Sequence, residues 1–191
     1  MALRRPERTW TYDDLAALPD DGKRYEIIEG ELFELTGPNL RHAKVLSNLV
    51  LLIGPIARAG GGEFFSAVMD VFFQGANPVE PDMVVILPGA GARQVMRGVE
   101  GAPDLVIEVL SPSNRTHDLL TKRALYRRGG VREYWMVDSE DRSIEVVTCG
   151  GAEAGDSRTF RGDDRVVSAV LPALGFTAAE AFAGLDAIAA E

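Results

Sequence analysis

Two Pro-Asp pairs stand at the starts of apolar runs, Pro81-Asp82 before Met83 to Leu87 and Pro103-Asp104 before Leu105 to Leu110, and Glu108 places a carboxylate inside the second run. Read as strands, these runs alternate their side chains, so Asp104, Val106, Glu108 and Leu110 share one face while Leu105, Ile107 and Val109 share the other. Asp104 and Glu108 lie about 13 Å apart along such a strand, too far to hold one ion together. Asp82 is the better companion, because a neighbouring strand in the right register brings its carboxylate beside Glu108. Two carboxylates that close repel unless a cation or a proton lies between them, and hard oxygen donors suit Mg²⁺ or Mn²⁺. The plainer alternative is that Asp82 caps a strand start and Glu108 pairs with an arginine.

The segment after Glu108 supplies cations. Asp118, Lys122 and Tyr126 recur at i, i+4 and i+8, which makes one polar stripe on a helix, and a strand–loop–helix unit lays that helix back across the sheet. Lys122 can then reach the carboxylates, where an ammonium would orient an attacking water and offset charge developing on a phosphate. An exposed Asp118–Lys122 ion pair, with Tyr126 as amphipathic cover, explains the same spacing more simply. From Arg115 to Arg132 the bases Arg115, Lys122, Arg123, Arg127, Arg128 and Arg132 accompany a single acid, Asp118. This stretch reads either as a solvated helix face or as a surface that receives a phosphate backbone, with Arg115, Arg123 and Arg127 as its contacts. His42 shares a helical stripe with Leu46, Leu49 and Ile53, so it is either a functional imidazole or a hydrogen-bonded core histidine.

The elements that must position these residues follow from punctuation and periodicity. Thr11, with Asp14 three residues on, predicts a short helix stopped at Pro19. Tyr25 to Ile28 and Glu31 to Leu35, joined by Glu29-Gly30, predict an antiparallel N-terminal β-hairpin. A long amphipathic helix is expected from Asn39, breaking or kinking near Gly54-Pro55. Phe64 to Phe73, Met83 to Leu87 and Leu105 to Leu110 read as central strands. A helix over 116–128 ends at Gly129-Gly130, strands follow over 133–138 and 144–148, and the tail from Val166 predicts a short strand and then a helix capped by Thr177 with Glu180. That order predicts a single α/β (α+β) domain over residues 1–191.

Composition narrows the chemistry further. At 46% hydrophobic and 26% charged residues, the chain can bury a core and is not a disordered or low-complexity protein. The net charge of −9 argues against a surface that holds nucleic acid everywhere, though not against a local basic site. Cys149 is the single cysteine, which removes intramolecular disulfides and thiolate zinc sites. Apolar runs such as Leu49 to Ile53 and Val131 to Val137 stop well short of the ~20 residues of a membrane span. The basic N-terminus has no apolar run behind it, so a cytoplasmic location without a membrane is expected. Gly89-Ala-Gly91 lacks the third glycine of a dinucleotide loop, and neither a phosphate loop nor a nucleophile elbow occurs.

Taken together, Tyr25-Glu-Ile-Ile-Glu-Gly-Glu31, Arg41-His42, Val79-Glu-Pro-Asp82, Pro103 to Ser113, Asp118, Lys122, Tyr126 and Gly130 to Asp138 resemble the Uma2 (Uma-two) family of bacterial endonucleases, in the PD-(D/E)XK restriction-endonuclease-like superfamily. The resemblance covers about residues 9–182. It implies a mixed central β-sheet flanked by helices and Mg²⁺- or Mn²⁺-dependent hydrolysis of phosphodiester bonds. By motif, Asp82 is the aspartate of the Pro-Asp element and Glu108 the acid of the (D/E)XK element, both as metal ligands. Leu110 stands where the superfamily pattern has its strand lysine, and the resemblance gives that role to Lys122. His42 resembles a further catalytic position, Glu26, Glu31 and Asp70 resemble acids that recur near the site, and Asp118 and Tyr126 are expected to support it. The expected partner is nucleic acid, DNA rather than RNA, and a homodimer would bring two sites to a duplex. The rival expectations are a non-catalytic nucleic-acid or protein-binding module on the same fold, and a phosphodiesterase of small nucleotides.

Overall fold

The β-branched and apolar runs of the chain pair into a mixed sheet, and the helices cover its two faces. The computed structural model describes residues 9–28, 30–35, 39–67, 69–74, 76–110, 115–150 and 155–189. Strands β1 (Arg24–Ile28) and β2 (Glu31–Leu35) form the antiparallel hairpin, with Ile28 opposite Glu31. Helix α2 (Leu40–Ala59) follows the short α1 (Tyr12–Ala16) and this hairpin. The next strands are β3 (Glu63–Phe65), β4 (Asp70–Phe72), β5 (Met83–Ile86), β6 (Ala92–Val95), β7 (Gly98–Gly101) and β8 (Leu105–Leu110). Helix α3 (Arg115–Gly129) leads into β9 (Glu133–Asp138), β10 (Ser143–Thr148), β11 (Ser157–Arg161) and the short α4 (Ala178–Ala181).

Among the described residues the main sheet has the order β11-β10-β9-β8-β5-β3. β8 and β9 are parallel neighbours and the other pairs are antiparallel. A parallel pair needs a crossover, and α3 provides it. It stops at Gly130, whose φ of 89° is the left-handed value that closes helices. One sheet face buries Met83, Val85, Leu105, Ile107, Trp135 and Val137 against Val45, Leu49, Ile53 and Ala57 of α2 and against Phe176, Phe182 and Leu185 of the C-terminal segment. The other buries Val84, Val106, Tyr134 and Met136 against Leu125 and Tyr126 of α3, with Val71 and Val99 from a smaller sheet ordered β4-β7-β6 and Phe73 just after β4. Helix, sheet and helix thus form three layers.

Four sequence expectations are corrected. Helix α2 does not break at Gly54-Pro55 but runs on to Ala59. Pro55 removes one amide bond, to the carbonyl of Leu51, and both residues are on the exposed side, Leu51 at 73% exposure. That carbonyl meets solvent while the buried stripe carries the packing energy, so the cost is small. With 20 residues and a mean hydropathy of 1.2, α2 is also long and apolar enough to cross a bilayer, yet its apolar stripe is packed on the sheet. Second, the run 64–73 is two strands in two sheets, since β3 pairs with β5 and β4 pairs with β7. Third, β6, β7 and β11 are additional strands, mostly polar or glycine-rich. Fourth, the tail from Val166 has no strand among its described residues, only a bridge from Arg165 to Thr177, and it closes in a 3-10 turn at Leu185–Ala187. The Thr177 helix has only four residues, held by a Thr177 amide bond to Glu180 Oε2 of 2.6 Å.

That irregular tail is fixed by a buried acid. Glu133, at the start of β9, accepts from Trp135 Nε1 at 2.7 Å, Ser168 Oγ at 2.6 Å and the Ala169 amide at 2.8 Å. All three donors share its carboxylate, so replacing it strands them in the core. Glu133→Ala is expected to destabilise the fold by about 3 kcal/mol, read as a lower urea midpoint, without moving any residue of the site described next.

Candidate active site

Antiparallel pairing of β5 with β8 places Met83 opposite Ile107, so the next pair outward is Asp82 and Glu108. Glu108 follows the alternation of Val106 and faces α3, where Lys122 and Tyr126 sit one turn apart. Both reach the same oxygen: Lys122 Nζ lies 3.1 Å from Glu108 Oε1, and the Tyr126 hydroxyl donates to it at 2.6 Å. Lys122 Nζ also stands 3.3 Å from Glu26 Oε2, which β1 of the hairpin delivers, while Glu26 Oε1 accepts the Glu80 amide at 3.0 Å. Asp82 Oδ2 accepts the Val109 amide at 2.7 Å and lies 3.1 Å from His42 Nε2 at the start of α2. Glu108, Lys122 and Glu26 are 7%, 4% and 3% exposed. The cluster is therefore drawn from the hairpin, both large helices and two central strands.

Its charge does not balance. Three carboxylates gather at the site, where the ammonium of Lys122 pairs with Glu108 and Glu26 while Asp82 lies against His42. Burial, reinforced by Asp82 and Glu26, pushes the Glu108 carboxyl up to about 8 against the opposing pull of Lys122 and the Tyr126 hydrogen bond. Burial, then Glu108 and Glu26, likewise pushes the Tyr126 phenol well above its ordinary value. Between the ordinary carboxyl range and pH 8 the folded protein therefore binds more protons at Glu108 than the unfolded chain does, and stability contributed by this group falls as pH rises. In metal-free buffer the melting temperature should decline over that window, and Glu108→Gln, which removes the titration, should flatten the decline and melt higher above pH 8. A wild-type slope retained in the variant would contradict this.

The other residues singled out by sequence are placed as follows. Asp104 belongs to the opposite end of β8, where it accepts the Leu87 amide at 2.7 Å and Arg132 at 2.9 Å, a strand latch. Glu31 is exposed on β2, and Asp70 lies on β4 in the wall of a neighbouring cleft. Arg123 directs its guanidinium to Glu145 at 3.4 Å and the Gly155 carbonyl at 3.1 Å, and Arg127 is exposed beside it. The side chains of Arg115 and Asp118 lie outside the described residues. Glu26, which the family resemblance set near the site without a defined role, is itself a member of the cluster. The one local signal is a carboxylate within the buried run Glu26-Ile27-Ile28, because its partner is 96 residues away.

The cluster could hold a divalent cation. Mg²⁺ needs only one or two protein carboxylates beside substrate oxygens and water, and Asp82 and Glu108 supply two. Their surplus negative charge is what such an ion neutralises, although among the described residues no three or more metal-ligating side chains gather as a closed cage.

A mixed sheet between two helix layers, with acids at the adjoining ends of two central strands, is an α/β fold of one domain. The crystal structure of a "putative nuclease belonging to DUF820" from Anabaena variabilis ATCC 29413 shares this fold, with a TM-score of 0.74 over 91% of this chain and 97% of that one at 20% identity. The model of the Uma2 family, described as "Putative restriction endonuclease", matches residues 12–179, and the chain belongs to this family. No curated protein matches it.

Proposed function

We propose that the protein is a divalent-metal-dependent endonuclease that hydrolyses phosphodiester bonds, with DNA as its substrate. The observation that carries this reading is the pairing of Asp82 and Glu108 across adjacent strands, with Lys122 on the Glu108 carboxylate. Asp82 and Glu108 hold Mg²⁺ or Mn²⁺, which when bound supplies Lewis-acid stabilisation of charge on the scissile phosphate. Lys122 orients the water that attacks phosphorus, and its charge offsets that developing on the phosphate oxygens as the ester oxygen leaves. Glu26 holds the ammonium from the hairpin side, Tyr126 fixes the Glu108 carboxylate, and His42 fixes Asp82. Glu31, Asp70 and Asp118 support the site from its surroundings. Arg127, with Arg115 and Arg123, receives the phosphate backbone on the α3 side. A two-fold homodimer would present two such sites to a duplex, and the single buried thiol of Cys149 suits a reducing, cytoplasmic setting.

The test is a panel of supercoiled plasmid, linear duplex, single-stranded DNA and RNA, each incubated with Mn²⁺, Mg²⁺ or EDTA. Cutting of DNA with either ion and none in EDTA is expected. Cutting of RNA alone would reverse the substrate assignment, and binding without cutting of any substrate would favour a non-catalytic module on the same fold.

A further inference from the structure

Beside the cluster lies a cleft of about 870 Å³ between β4 and the hairpin of β6 and β7. It adjoins the proposed active site through Glu80, which lines the cleft, donates its amide to Glu26 and precedes Asp82 by two residues. Phe65, Met69, Val95 and Met96 give apolar walls, the acids Asp70 and Glu80 stand among them, and Gln94 and Arg97 line the cleft on the hairpin side. Met96, at the hairpin tip, is fully exposed. Arg93 and Arg97 flank it, both paired with Glu100, and Arg97 lies 4.3 Å above the Phe72 ring. From Met83 to Val99 the chain has these two cations and no acid.

This distribution separates the parts of a nucleotide. Carboxylates within the cleft repel a phosphate but accept hydrogen bonds from an exocyclic amino group. Apolar walls and a polarisable thioether suit the face of a base. The arginines on the hairpin suit phosphates on either side, because surface ion pairs such as those to Glu100 exchange at little cost. We propose that this cleft takes an unstacked nucleobase carrying an exocyclic amino group, beside the proposed active site, with Asp70 and Glu80 as the residues that select it. The assignment rests on the nuclease reading for its substrate class. A base enters such a cleft only when unstacked, so single strands are the natural ligand.

Binding in EDTA tests it without cleavage. Fluorescence anisotropy of labelled single-stranded (dC)₁₂, (dT)₁₂ and an abasic 12-mer should rank the cytosine strand about fivefold or more above thymine, which lacks the amino group. Asp70→Ala and Glu80→Ala, and Asp70→Leu should the alanine variant not fold, should bring the two affinities together. Met96→Ser, at an exposed position, should weaken both base-bearing strands and leave the abasic one unchanged, whereas Arg97→Ala should weaken all three. Equal affinity of the native protein for cytosine, thymine and abasic strands, no binding of any strand, or a preference that survives both acid substitutions would overturn the proposal. Parallel incubation with Mn²⁺ separates the two readings. Base preference without cutting would remove the nuclease and keep the cleft, and cutting without base preference would do the reverse.

Discussion

Asp82→Asn is expected to fold like the native chain and to cleave DNA about 10³-fold more slowly, a loss on the order of 4 kcal/mol in the transition state. Folding survives because an amide oxygen can still accept the Val109 amide, the bond that ties the start of β5 to β8 at 2.7 Å. Activity does not survive because the amide carries no charge to share with Glu108 in holding a divalent ion. Calorimetric titration with Mn²⁺ should show the same loss as the rate. A variant that keeps its rate would place the metal elsewhere.

Lys122→Met should reduce both stability and activity. The ammonium stands within 3.3 Å of Glu26 and 3.1 Å of Glu108, and a thioether of similar length leaves two buried carboxylates facing each other. Breaking a buried pair of this kind costs about 3–5 kcal/mol. The loss should be smaller at pH 5 than at pH 8, because protonation relieves the repulsion once the cation is gone. Adding Glu26→Gln to Lys122→Met should restore much of the stability and none of the cleavage. This combination distinguishes a chemical lysine from a structural one: recovery of both together would make Lys122 a folding residue alone.

Much of the architecture is legible in local pattern. The runs Met83 to Ile86, Leu105 to Leu110 and Glu133 to Asp138 are rich in apolar and β-branched residues because strands in the middle of a covered sheet bury both faces. The spacing of Lys122 and Tyr126 is legible because a helix repeats every 3.6 residues. What local pattern does not carry is pairing. In β11 only Phe160 is buried, and β6 has no buried residue, so neither looks like a strand until its neighbour is known. The division of Phe64 to Phe73 between two sheets is likewise a decision of the neighbours β5 and β7. Pro55 misleads because its cost depends on which side of α2 faces solvent. In the site, Asp82 and Glu108 announce themselves as acids at strand positions. The convergence of Glu26 and His42 on the same cluster is tertiary, since the hairpin and α2 arrive from different sides of the sheet.

The most direct measurement is nicking of supercoiled plasmid in Mn²⁺ by the native protein and by Asp82→Asn, purified identically, shown by circular dichroism to be folded, and each repeated in EDTA. The account predicts cutting by the native protein with Mn²⁺ and background levels in the other three reactions. Equal cutting by the variant, or cutting by the native protein in EDTA, would contradict it.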